Sequence, residues 1–243
     1  MNLILVHPDD LTAPDRARLS GRRLEHLRQV LGASGGSELR VGLVNGQRGR
    51  GTVLTLDTEE AILELRLDHL PPPPLPLTLI LALPRPKMLK RILQAVTTLG
   101  VKQIYLINSY RVDKSYWSSP LLQPDSIREQ LVLGLEQAGD TLLPEVHLRP
   151  RFKPFVEDEL PAIARATHAY VAHPQGPANA APAAADGDTT TLAVGPEGGF
   201  IGYEIEKFQA AGLTPFSLGE RILRVETAIP VLISRLTSAP GKA

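Results

Sequence analysis

The sequence contains no cysteine in its 243 residues. Disulfide bonds and cysteine-ligated zinc or iron–sulfur sites are therefore excluded. It also has no apolar run long enough to span a bilayer, and its first residues lack the basic segment and long apolar stretch of a signal peptide. We therefore expect a cytoplasmic protein with no membrane partner and no bound metal.

Net charge is also absent, because 26 basic residues balance 26 acidic ones. The charges are nevertheless segregated along the chain. Positions 16–50 carry eight arginines and two acidic residues, and positions 85–114 carry seven basic residues and one aspartate. Such segregation suits binding to a phosphate backbone, but ordinary solvated charge on helix faces explains it equally well.

Phosphate-binding glycine motifs are missing too: there is no Gly-x-Gly-x-x-Gly and no Gly-Lys-Ser/Thr. Instead, the segments Gly195–Phe200 and Leu218–Ala228 each follow a predicted strand. In open α/β sheets, ligands bind at the carboxyl ends of strands. We therefore expect a ligand without phosphate, held by bare backbone and flanked by a buried acid and an arginine. Glu197 alone has a simpler interpretation, as a residue that complements a helix dipole.

Four consecutive prolines, Pro71–Pro74, mark the clearest boundary. Consecutive prolines fix φ and remove amide donors, so residues 71–76 are predicted to form an extended linker. The sequence thus predicts an N-terminal domain over 1–70 and a second domain over 77–243.

The two domains differ in their hydrophobic patterns. The first domain is predicted to be a small β-barrel with a short helix over 22–31 and strands at 2–6, 39–44, 51–56 and 61–67. The second alternates strands and helices, which predicts an α/β fold with a parallel sheet. Its strands are predicted at 77–83, 103–107, 145–148, 169–172, 191–194 and 215–217, and its helices at 86–99, 127–138, 155–165, 203–211 and 224–236. The segment 174–190, rich in alanine and proline, is predicted to be a surface loop.

Two motifs together carry a resemblance to a known family. They read Gly195-Pro196-Glu197-Gly198-Gly199-Phe200 and Leu218-Gly219-x-Arg221-Ile222-Leu223-Arg224-x-Glu226-Thr227-Ala228. In combination they resemble the signature of the bacterial 16S ribosomal RNA uracil-N3 methyltransferases, a family of the SPOUT superfamily. Weaker similarities at Glu25–Leu31, Leu99–Val101 and Glu136–Gly139 extend the resemblance over nearly the whole chain. The sequence departs from the family pattern at Gly32, Thr98 and Asp140, which replace Arg, Glu and Arg.

The resemblance implies a trefoil-knotted SPOUT catalytic domain, preceded by a PUA-like β-barrel that binds RNA, in a homodimer. It implies S-adenosylmethionine as the cofactor and ribosomal RNA or the small ribosomal subunit as the partner. The residues that would line the cofactor pocket or its rim are Gly195, Glu197, Gly198, Gly199, Leu218, Gly219, Ile222, Leu223 and Arg224.

Methylation of uracil N3 requires removal of its weakly acidic proton. Glu226 is the candidate base and Arg224 the candidate cation that stabilises the uracil anion. The candidate RNA-binding residues are Arg22, Arg23, Arg28, Arg85 and Lys87. The loop Asn108–Trp117, with two cations and three aromatics, is a candidate RNA-facing or dimer loop, although simple packing explains Trp117 equally well. Two alternatives remain open: methylation of another ribosomal or transfer RNA base, and a non-catalytic RNA-binding assembly factor.

Overall fold

The structure, a computed structural model, describes residues 3–174, 176 and 188–237. Most of the predicted loop 174–190 lies outside the described residues. The chain forms two compact units. The first comprises Met1–Pro72 together with Val132–Leu143, and the second comprises Pro73–Leu131 with Pro144–Ala243.

The first unit contains a mixed six-stranded sheet in the order β1-β4-β5-β6-β3-β2. Only β1 and β4 pair in parallel, and the other neighbours are antiparallel. The strands are β1 (Ile4–Val6), β2 (Leu11–Ala13), β3 (Arg16–Leu19), β4 (Glu38–Leu43), β5 (Arg48–Leu56) and β6 (Ala61–His69). A 3-10 turn covers Pro8–Asp10, and the helix α1 (Gly21–Glu25) continues as a π-helical turn over His26–Val30.

Four of these strands and the short helix were predicted from the sequence, whereas β2 and β3 were missed. Both missed strands have at most four residues, too few for a period-of-two pattern to stand out. The buried residues Ala17 and Leu19 of β3 nevertheless pack in one core with Leu63 of β6 and with Leu24 and Leu27 of the helical segment.

The segment Val132–Leu143 also belongs to this first unit, although it lies far away in the sequence. Its residues Val132, Leu135 and Leu143 form a second apolar cluster with Leu3, Leu5 and Val44. The Leu3 N–H donates to the Glu136 carbonyl at 3.1 Å. Hydrophobic burial thus fixes the end of a long helix to the N-terminal sheet.

The second unit contains a six-stranded sheet in which every pair is parallel, as predicted. Its order is β12-β10-β11-β7-β8-β9. The strands are β7 (Leu77–Ala82), β8 (Gln103–Ile107), β9 (Glu145–Arg149), β10 (His168–Ala172), β11 (Thr190–Val194) and β12 (Thr214–Phe216). The helices are α2 (Pro86–Thr98), α3 (Pro124–Ala138), α4 (Phe152–Pro154), α5 (Leu160–Arg165), α6 (Gly202–Ala210) and α7 (Val225–Leu236), with a π-helical turn over Phe155–Glu159 and 3-10 turns over Lys114–Ser118 and Pro120–Leu122.

The central strands of this sheet are buried on both faces. All residues of β11 are buried, as are Leu79–Ala82 of β7. Helices that cover both faces explain this pattern, because parallel sheets are seldom exposed to water. The helix α2 buries Leu89, Leu93 and Val96 and packs against α7. Among the described helices, none is long and apolar enough to cross a membrane.

Candidate active site

A cavity of about 270 Å³ lies at the carboxyl ends of three neighbouring parallel strands, β12, β10 and β11. The segment after each strand contributes part of its wall, and α7 closes it. The lining residues are Ala172 at the end of β10 with His173 and Pro174 after it, Gly195–Gly199 after β11, Phe216–Gly219 and Arg221–Leu223 around the end of β12, Val194 in β11, and Val225, Ala228 and Leu232 in α7. The two motifs are thus brought together at the edge where the strand rule places a ligand.

Bare backbone forms much of the wall. A Cβ atom on Gly195 would lie only 3.0 Å from the Phe200 nitrogen and 3.2 Å from the Gly199 carbonyl carbon. Gly219 has φ 110°, a conformation that residues with a Cβ rarely adopt. Both glycines are therefore required by the path of the chain around the cavity.

The remaining wall is mostly apolar. Val225 and Leu232 are buried, whereas Leu218 and Leu223 are each 37% exposed and Ile222 is 82% exposed. Phe200 does not line the cavity. It packs beneath the loop against Phe208, with ring centroids 4.8 Å apart. A flat or aliphatic ligand group would find contact surface on these side chains, while Glu197 and Arg221 are the charged residues of the lining.

Glu197 connects the glycine loop to the start of α2. Its Oε1 accepts the Arg85 backbone N–H at 3.2 Å, and the Arg85 Nε lies 3.9 Å away. Since Arg85 is the N-cap residue of α2, the carboxylate complements an unpaired helix terminus. Glu197 is therefore partly structural, as its simpler interpretation suggested.

His173 is a lining residue that the sequence prediction missed. Its Nδ1 atom is buried and has no hydrogen-bond partner among the described residues, although the ring lines the cavity. A buried polar atom without a partner is costly, so a ligand that hydrogen-bonds to Nδ1 would relieve this cost. The strand rule that selected the other two loops could have found His173, since it directly follows β10.

The predicted catalytic residues lie beside the cavity and do not line it. Arg224 is the exposed N-cap residue of α7, and its carbonyl accepts the Ala228 N–H at 2.7 Å. Glu226 is half-buried, and neither side chain forms an ion pair with any residue in the described part of the chain. The expected buried acid is therefore wrong: Glu197, in the loop after β11, and Glu226, in the first turn of α7, are both partly exposed. Arg224 is also the only predicted cofactor residue that does not line the cavity.

Comparison with known proteins supports one family. Residues 71–237 match the RNA methyltransferase domain family. The ribosomal RNA small subunit methyltransferase E of Treponema pallidum is 31% identical over 234 residues, which cover 94% of this chain and 87% of that protein. The chain belongs to this methyltransferase family. The family predicted from the two motifs is thereby confirmed.

Solved structures share the fold of the methyltransferase. The ribosomal RNA small subunit methyltransferase E of Neisseria gonorrhoeae, bound to S-adenosyl methionine, superposes with a TM-score of 0.75 at 21% identity, over 96% of this chain and 95% of that one. A Legionella pneumophila protein in complex with the bound cofactor SAM gives a TM-score of 0.72 at 22% identity, over 96% of each chain. At these identities the structures establish a shared fold.

Two of the predicted RNA-binding arginines of the methyltransferase form ion pairs within the first unit. Arg22 Nη2 lies 2.9 Å from both carboxylate oxygens of Glu136, which is almost fully buried. Arg23 donates to both oxygens of Asp10, with one contact at 2.8 Å, and to the Leu5 carbonyl at 2.9 Å. The Arg22 side chain nevertheless stays 46% exposed, and Arg28, Arg85 and Lys87 are exposed as well.

The Arg23 ion pair changes the acidity of its partner. Burial is the largest single influence on the pKa of Asp10 and raises it, but hydrogen bonds from Arg23 and the His7 backbone, together with their charges, bring the pKa below its ordinary value. The pair therefore stabilises the folded first unit at neutral pH.

Two departures from the family pattern are accommodated locally. Asp140 is buried, and its Oδ1 accepts the Thr141 N–H at 2.6 Å and the Leu142 N–H at 3.0 Å, which forms a turn after α3. Thr98 donates its hydroxyl to the Gln94 carbonyl at 2.8 Å at the end of α2. Asp140 and Thr98 thus each make hydrogen bonds within their own turn or helix. Neither departure from the family pattern disrupts the local structure.

Proposed function

We propose that this methyltransferase transfers a methyl group from S-adenosylmethionine to N3 of a uracil in 16S ribosomal RNA of the small ribosomal subunit. One observation carries the proposal: eight residues predicted to bind the cofactor line one cavity at the carboxyl ends of β10, β11 and β12. Related structures with this fold hold the same cofactor.

The chemistry of the cavity fits this cofactor. S-adenosylmethionine has no phosphate, and the lining has no phosphate-binding glycine motif. The apolar side chains of Leu218, Ile222 and Leu223 suit an adenosine ring, and Gly195, Gly198 and Gly199 expose bare backbone to the ligand. Nδ1 of His173 offers a hydrogen bond to a polar group of the ligand. When bound, the cofactor supplies an electrophilic methyl group on a positively charged sulfur.

The residues of the chain then act on the uracil. Arg224 and Glu226 flank Val225, which lines the cavity, and this proximity supports a role for both residues beside the ligand. We assign to Glu226 the removal of the N3 proton and to Arg224 the stabilisation of the resulting charge on the base. N3 lies on the pairing edge, so the uracil must be unpaired or flipped out before it reaches this site.

The RNA-binding role is assigned to the members of the predicted set that form no ion pair within the first unit. Arg28, Arg85 and Lys87 are free to reach a phosphate backbone, whereas Arg22 and Arg23 hold carboxylates of their own unit. We expect the latter two to contribute to RNA binding only through the stability of the first unit. The reaction would take place in the cytoplasm, where ribosomal subunits are assembled.

A homodimer is also proposed. The loop after β12 and the exposed face of α7 present apolar side chains to solvent, with Ile222 82% and Val231 44% exposed. Both lie next to the cofactor cavity or to a neighbouring groove lined by Leu218, Leu223 and Val231. A second copy of the chain that covers this face would remove the apolar surface from water and close the site. The trefoil knot and the PUA-like character of the first unit are proposed on the family resemblance, and the mixed six-stranded sheet supports the latter.

The direct test uses labelled S-adenosylmethionine and small ribosomal subunits from a strain that lacks this gene. We expect label in the RNA, recovered as 3-methyluridine by nucleoside mass spectrometry. Label on another base would instead support the alternative target. Absence of label, with a protein that binds the cofactor and the subunit, would support the assembly-factor alternative.

A further inference from the structure

Two arginines contact adjacent residues of the glycine loop that lines the cavity. Arg85, which follows β7, contacts Glu197 through its backbone N–H at 3.2 Å and places its Nε 3.9 Å from the same carboxylate. Arg111, in the loop after β8, donates from Nη1 to the carbonyl of Gly198. Two guanidinium groups from different loops therefore reach the same edge of the cavity.

The position of Arg111 depends on the glycine that it contacts. A Cβ atom on Gly198 would lie 2.9 Å from Arg111 Cδ and 3.3 Å from its Cβ. The aliphatic part of Arg111 thus lies directly against the loop, and any larger residue at 198 would displace it. The absence of a side chain at Gly198 serves this contact as well as the cavity.

A buried carboxylate fixes the backbone next to Arg111. Glu204 is only 2% exposed, and its Oε1 accepts the Tyr110 N–H at 2.7 Å. Its Oε2 accepts the Ile201 N–H at 2.9 Å, at the start of α6. The loop that carries Arg111 is therefore anchored at two successive residues to the segment that follows β11, which limits the entropy lost when its guanidinium binds a ligand.

Most donors of both guanidinium groups are available. A guanidinium has five N–H donors, and Arg111 uses one of them within the described structure. The Arg85 side chain is 68% exposed and makes only the 3.9 Å contact. Glu197 is the only acid in contact with either arginine among the described residues, so it does not neutralise both, and the exposed Lys87 adds a further positive charge on α2.

We propose that Arg85 and Arg111 form an anion clamp at the edge of the cavity, which binds RNA phosphates next to the target nucleotide. Planar guanidinium forks match phosphate oxygens in pairs. A phosphate held there would fix the sugar–phosphate backbone beside the cofactor and direct the base toward the cavity. The clamp rests on the proposed function, because its ligand is the RNA substrate of that reaction.

The test compares Arg85→Gln, Arg111→Gln and the double variant with wild type. Arg165→Gln is the matched control, since Arg165 is exposed in the same unit but precedes β10 and lies at the opposite edge of the sheet. The steady-state kinetics of methyl transfer are measured with small subunits from a strain lacking the gene, at several salt concentrations. S-adenosylmethionine affinity is measured separately by calorimetry.

We expect the double variant to raise the KM for subunits about tenfold. The slope of log affinity against log salt should fall by about two, because about two phosphate contacts are lost. The affinity for S-adenosylmethionine and the Tm should stay near wild type, as should every property of Arg165→Gln. Arg111→Lys, which keeps the charge and loses the fork, should fall between wild type and Arg111→Gln.

Two results would overturn the clamp while leaving the methyltransferase reaction intact. One is an unchanged KM and salt dependence in the double variant. The other is a loss of S-adenosylmethionine affinity that accounts for the whole defect, because the arginines would then shape the cofactor loop. A wild-type protein that transfers no methyl group would instead refute the proposed function itself.

Discussion

Arg23 in the first unit and Arg85 at the edge of the cavity carry the same charge but differ in what they contact. Arg23 is only 15% exposed and is paired with Asp10, whereas Arg85 is 68% exposed and touches Glu197 at 3.9 Å. A buried carboxylate that needs compensation makes an arginine structural. An exposed guanidinium with unused donors is available for a ligand. The count of basic residues along the sequence does not separate these two roles.

Loss of the ion pair between Arg23 and Asp10 should have the largest effect, on the stability of the fold. Arg23→Ala removes the partner of Asp10 and leaves its carboxylate in a mostly buried position, so we expect a loss of about 3 kcal/mol in the free energy of unfolding. Chemical denaturation of the full chain measures it. Arg28→Ala, an exposed arginine of the same helical segment, should change stability by less than about 0.5 kcal/mol. Equal losses in the two variants would contradict the distinction.

The pH dependence of stability tests the same ion pair. The pKa of Asp10 in the folded state is below its ordinary value of 3.8, so the unfolded chain binds the proton more tightly. The contribution of the pair is therefore complete above pH 3.8 and is lost as the pH falls through the lower, folded pKa. Asp10→Asn should be less stable than wild type at pH 7 and should lose less additional stability on this acid limb. Thermal unfolding of both proteins between neutral and acidic pH gives the slopes, and identical slopes would refute this role of Asp10.

Substitution of the exposed Arg28 should have the smallest effect, on RNA affinity. Arg28→Gln should weaken binding of ribosomal RNA a few-fold and lower the salt slope by about one, because one phosphate contact is lost. Filter binding across a salt series measures both quantities, and the melting temperature should not change. An unaltered affinity and slope would remove Arg28 from the RNA-binding set.

The sequence predicted the local elements of the second unit well, for a physical reason. Its parallel strands are buried on both faces, so each appears as a continuous apolar run such as Leu77–Ala82. The order of the strands could not be predicted, since it depends on contacts distant in the sequence. For the same reason, the sequence did not predict that Val132–Leu143 belongs to the first unit. The helix α3 crosses this boundary, and its pattern does not break there.

The candidate site was predicted in part. The two glycine-containing motifs line one cavity, because both follow strands and parallel strands end at the same edge. His173 was missed because it belongs to no motif, and Arg111 was not separated from the rest of its loop. Both are recognised by their surroundings: a buried atom without a partner in one case, and a contact with a glycine carbonyl in the other.

The proposed reaction requires that the cavity at the carboxyl ends of β10, β11 and β12 binds S-adenosylmethionine. The most direct measurement is calorimetric titration of wild type and Gly195→Val with this cofactor. Since a Cβ atom at 195 would lie 3.0 Å from the Phe200 nitrogen and force the loop that lines the cavity to shift, we expect saturable binding by wild type and at least about a tenfold loss of affinity in the variant, a difference of about 1.4 kcal/mol. Binding by Gly195→Val that equals wild type, with both proteins folded, would show that the cofactor does not bind in this cavity.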